Sequence, residues 1–103
     1  MASTLHDLIA SVSTFNNDDA IYAKKIDGKF LANSEALVVQ LTEEESGLRT
    51  YEIAERKCPG YEYFLEIFII KDLIEDLNDL NNASSLEERI AIVIYYAEYD
   101  AYP

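Results

Sequence analysis

The sequence predicts an α+β fold, a small antiparallel or mixed sheet of about three strands packed by about four helices. Three observations carry this: helical apolar stripes near both ends of the chain, short β-rich segments between them, and turn signals separating the two kinds of pattern. With 103 residues, half of them apolar, the chain suffices for one hydrophobic core, so residues 1–103 are read as a single domain.

Leu5, Leu8, Ile9 and Val12 recur at helical spacing behind Thr4, with Asp7 three residues on, so a first capped helix is expected over residues 4–15. Asn16, Asn17, Asp18 and Asp19 compete for backbone hydrogen bonds and end it. Strands are expected over 20–23 and 36–41, with Asp27-Gly28 as a tight turn between them. Glu43, Glu44, Glu45 and Ser46 form a polar connection into a short helix over 48–57, which Cys58-Pro59-Gly60 closes.

Residues 61–68 are dense in aromatic side chains and read as a central strand. Alternation sets Tyr61, Tyr63, Leu65 and Ile67 on one face and Glu62, Phe64, Glu66 and Phe68 on the other. From Ile70 the period becomes helical through Leu73, Ile74, Leu77 and Leu80, ending at Asn81-Asn82. Ser85 and Glu88 form a capping box for a last helix whose apolar stripe is Leu86, Ile90, Val93, Ile94 and Ala97.

Eight basic against twenty acidic residues give a net charge of −12. The imbalance is steeper beyond residue 51, where twelve acids face four bases. Such a field disfavours nucleic acid and anionic membranes as direct partners and attracts basic proteins. The lone Cys58 rules out an internal disulfide and suits a reducing cytoplasm, and no secretory leader or membrane span is expected.

A search for chemistry finds little. His6 is the only histidine and has no histidine or cysteine partner near it in sequence, while Cys58 beside Arg56 and Lys57 reads as a packing thiol at a turn. His6 and Cys58 are too few for zinc, and three scattered glycines make no phosphate-binding loop. No enzyme activity, metal or cofactor is expected.

Carboxylates stand out instead. Asp72, Glu75, Asp76 and Asp79 fall at i, i+3, i+4 and i+7 opposite the apolar stripe, and like charges at that spacing destabilise a helix. Lys71 is the only base among them. Near the end of the chain, Tyr95, Tyr99 and Tyr102 recur beside Glu98 and Asp100, and tyrosine supplies rigid area with a polar tip at interfaces. These nine residues are the candidate partner-binding set. A solvated helix face and rings covering a core edge are the structural alternatives.

The stretch from Tyr61 through Leu80 and the ending Tyr95-Tyr96-Ala97-Glu98-Tyr99-Asp100-Ala101-Tyr102 together resemble the small acidic immunity proteins of bacterial toxin systems, contact-dependent inhibition among them. The resemblance is one of character across the C-terminal half, since that group shares no single fold. It implies a cytoplasmic protein that neutralises a cognate basic toxin, typically a nuclease, by covering its active site or a neighbouring surface. A phage-type anionic mimic of nucleic acid is the alternative, though two helical turns of acid span only about 10 Å. A small enzyme using Glu62 and Glu66, and a subunit that self-associates through its tyrosines, also stand open.

Overall fold

The computed structural model describes residues 3–40, 47–80 and 85–99, with 78–80 described for their backbone alone. The expected polar connection at Glu43 to Ser46 and the Asn81-Asn82 turn fall outside these residues.

Thr4 sits in extended conformation and its Oγ1 accepts the Asp7 amide at 3.2 Å, so the cap expected from sequence forms. It opens α1 (Leu5–Ala10), which is shorter than expected because a 3-10 turn over Val12–Thr14 takes the remainder. The Ser11 and Thr14 hydroxyls bond back to the Asp7 and Ser11 carbonyls, the local competition that unwinds helices at such residues.

A sheet of four antiparallel strands is built from β1 (Ser3–Thr4), β2 (Ala20–Ala23), β3 (Glu35–Val39) and β4 (Glu62–Glu66), in the order β1-β3-β2-β4. The two-residue β1 carries no periodic signal and was invisible to pattern reading. Ala20 pairs with Val39 and Ala23 with Ala36, so β2 and β3 form a hairpin. Its Asp27-Gly28 turn closes a smaller excursion, in which Ile26 and Lys29 exchange both backbone bonds. Asp27 at φ 53° and Gly28 at φ 79° supply the two positive dihedrals such a turn requires.

The segment expected as a central strand is an edge strand, because β2 and β3 take the interior positions. Its expected alternation also fails. Ile21 pairs with Leu65 and Tyr22 with Tyr63, so Phe64 is an extra residue at a bulge. Tyr63 faces one side of the sheet while Phe64 and Leu65 both enter the core on the other. Nor does the strand run on to Phe68. The chain passes from Glu66 directly into α3 (Ile67–Leu80), and the Ile67 amide donates to the Asp19 carbonyl at 2.9 Å.

Each interior strand buries both faces, as alternation along β2 makes plain. Ile21 and Ala23 join the larger core with α1, α3 and α4 (Leu86–Tyr99), whereas Ala20 and Tyr22 meet Ile53, Ala54 and Cys58 at α2 (Thr50–Lys57). The helices α1, α3 and α4 therefore cover one face of the sheet and α2 the other. Ser85 Oγ accepts the Glu88 amide at 3.2 Å, completing the N-cap of α4.

Tyr22 has chemical consequences within the smaller core. Its ring meets Tyr63 edge-on at 5.8 Å, and its hydroxyl donates to the Thr50 carbonyl at 3.3 Å. Burial, aided by Cys58 and Glu66, pushes its phenol up to about 12 from an ordinary 10. Burial and the Glu66 charge raise Tyr63 to about 12 as well. The folded state thus holds protons that the unfolded chain releases above pH 10, so the contribution of these two phenols to stability is fully present below pH 10 and is lost as pH rises toward 12. Tyrosinate absorbance should show two phenols titrating late, together with the loss of far-ultraviolet ellipticity. Tyr22→Phe should reduce the alkaline loss; an unchanged alkaline midpoint in that variant would refute the assignment.

Candidate interaction surface

On α3 the residues Ile67, Ile70, Leu73 and Leu77 are buried, at most 4 % exposed, and this stripe fixes the rotation of the helix. Asp72, Glu75 and Asp76 consequently lie on the exposed side. Asp79 continues the same register in the backbone, and its side chain lies outside the described residues.

The charge of Lys71, the one base on this helix, is directed away from the row. Its Nζ donates to the Phe15 carbonyl at 2.7 Å and to Asn17 Oδ1 at 2.8 Å, tying α3 to the segment that follows the 3-10 turn. The ion pairs Lys24–Glu35 and Lys25–Glu62 join residues of the β2–β3 connection to the strands.

Phe68 was missed by the strand reading. It is 45 % exposed and stands four residues before Asp72, seven before Glu75 and eleven before Asp79, so it heads the acidic row. Extending the helical period of Ile70 and Leu73 back to Ile67 would have found it. A large exposed ring beside carboxylates combines apolar area with charge on one helix face.

The tyrosine set divides. Tyr95 and Tyr99 are 39 % and 63 % exposed and pack together with ring centroids 4.5 Å apart, forming an aromatic patch on α4. Glu98 is only partly exposed, and its Oε1 accepts the Phe30 amide at 2.8 Å. That bond fastens the β2–β3 connection to α4, which gives Glu98 a structural task. Asp100 and Tyr102 lie outside the described residues.

Cys58 is buried, and burial pushes its thiol above the ordinary value while Lys57 pulls the other way. A thiol in that state is a poor nucleophile. Among the described residues no group of three or more His, Cys, Asp or Glu is placed to hold a metal ion, and no helix is long and apolar enough to cross a membrane.

The fold and its surface define a small α+β domain with an acidic helix face and an exposed tyrosine pair. The chain belongs to the family described as a domain of unknown function, DUF7716, whose sequence model matches residues 2–102. No curated protein and no solved structure matches it.

Proposed function

We propose that the chain is an immunity-type inhibitor that binds a basic toxin domain, a nuclease by preference, through the outer face of α3 in the cytoplasm of the cell that makes it. The supporting observation is the disposition of charge on that helix. Asp72 and Glu75 are exposed on one face while Lys71 is committed to Phe15 and Asn17, so the row's only sequence neighbour of opposite sign is engaged elsewhere. Concentrating like charge on one helix face costs stability, and a basic partner offsets that cost.

A nuclease suits this face because it must carry cationic groups to hold phosphate, and carboxylates compete for the same groups. Phe68, with Tyr95 and Tyr99 as a second patch, adds apolar area of the kind found in interface anchors. The test is co-expression with the product of the adjacent gene. A basic protein that co-purifies at low salt, and whose toxicity this chain relieves, supports the proposal. Absence of both retention and rescue refutes it.

A further inference from the structure

On the opposite side of the sheet from α3, a cleft of about 460 Å³ runs between α2 and β4. Tyr51, Tyr61 and Tyr63 wall it, with Glu55, Glu62 and Lys25 around them. The turn between the two elements shapes its end: Pro59 fixes one dihedral, Gly60 adopts φ 90°, and the Tyr61 amide returns to the Cys58 carbonyl at 3.0 Å. Tyr51 is 58 % exposed, an unusual placement for a large ring on a short helix.

We infer that this cleft receives an arginine side chain carried on an extended segment of a partner protein. The inference goes beyond the acidic face of α3, and neither depends on the other. Carboxylates alone would not carry it; the aromatic wall and the chain's own use of the same chemistry do. Lys24 Nζ sits 4.9 Å from the Tyr61 ring centroid and 3.5 Å from Glu35 Oε2, while the Tyr61 hydroxyl meets that same oxygen at 3.2 Å. Lys25 repeats the arrangement, 5.2 Å from the Phe30 ring centroid and 4.0 Å from Glu62 Oε1. Ring and carboxylate together already hold a cation twice beside the cleft.

Within the cleft, Glu55 and Glu62 outnumber Lys25 by one charge, so a cation is favoured over an anion. A planar guanidinium stacks on tyrosine and bonds a carboxylate through two donors, which an ammonium cannot match. β4 ends the sheet, and an edge strand presents unpaired backbone groups along which an extended segment can align. A side chain of such a segment is thereby delivered at Tyr61 to Tyr63.

The probe is the peptide acetyl-Gly-Gly-Arg-Gly-Gly-amide, titrated into the ¹⁵N-labelled full chain, with the citrulline peptide as its neutral isostere. Expected are saturable amide shifts at Tyr51, Glu55, Tyr61 and Tyr63 with arginine and none with citrulline. Glu55→Gln and Tyr51→Ala, both at exposed positions, should each weaken binding roughly two- to fivefold, the size of an exposed cation–π or ionic contact. Spectral dispersion checks that each variant is folded. Equal response to citrulline, no response, or shifts confined to Asp72 and Glu75 would overturn the proposal. Reversing the α3 charges should leave this titration unchanged, so failure of one surface is distinguishable from failure of the other.

Discussion

Phe64→Ala should destabilise the fold by about 3–5 kcal/mol, the usual cost of removing a fully buried phenylalanine. Phe64 is 2 % exposed and meets the Phe30 ring edge-on at 5.1 Å, with the planes at 89°. Phe30 in turn is 6 % exposed, and its amide is the donor that Glu98 accepts. Phe64 therefore holds the β2–β3 connection against β4, and Glu98 holds the same connection against α4. Deleting the ring leaves a cavity beside Phe30 and removes the reason for the bulge, which is to turn Phe64 and Leu65 into one core. Domains of this size hold only about 5–15 kcal/mol in total, so a substantial part of the margin goes. Urea unfolding measures it. Phe68→Ala, on the same segment but 45 % exposed, should cost less than about 1 kcal/mol. Equal losses in the two variants would mean that the bulged packing is wrong.

The contrast between Phe64 and Phe68 also marks the limit of reading this sequence. Helix starts were legible because Thr4 and Ser85 announce themselves through a cap three residues ahead of an acidic side chain. The stripe of α3 was legible for the same reason that its rotation is fixed: Ile70, Leu73 and Leu77 repeat at the helical period. What period alone cannot reveal is a bulge, since one inserted residue inverts the alternation beyond it. Nor can it place a helix start that follows a strand without a loop, because Glu66 and Ile67 carry no turn residue between them. Both failures fall at residues 64–68, and together they hid Phe68 from the acidic row. Glu98 illustrates a different limit. Its position beside Tyr95 and Tyr99 suggested a shared surface, whereas its partner is an amide 68 residues away in the sequence.

Reversing Asp72, Glu75 and Asp76 to Lys should slow association with a basic partner by about ten- to a hundredfold at low salt, within the range electrostatic steering supplies. Each reversal adds two charges, so the net charge moves from −12 to −6. The local change is larger in effect, because it turns the exposed face of α3 from a cation-attracting row into a cation-repelling one. Steering acts on the encounter, so the loss belongs mainly to the association rate. The dependence of that rate on ionic strength should flatten, since screening by salt removes only what the charges contribute. Leu73 and Leu77 remain buried and Lys71 keeps its bonds to Phe15 and Asn17, so the helix should remain in place. Stopped-flow association with the co-purified basic domain at two ionic strengths reads both quantities, and thermal unfolding checks the fold. Phe68→Ala belongs in the same series with the opposite signature: an unchanged association rate and faster dissociation, because an apolar anchor acts after contact. An association rate unmoved by the triple reversal would remove α3 as the docking face, whatever partner the chain is found to retain.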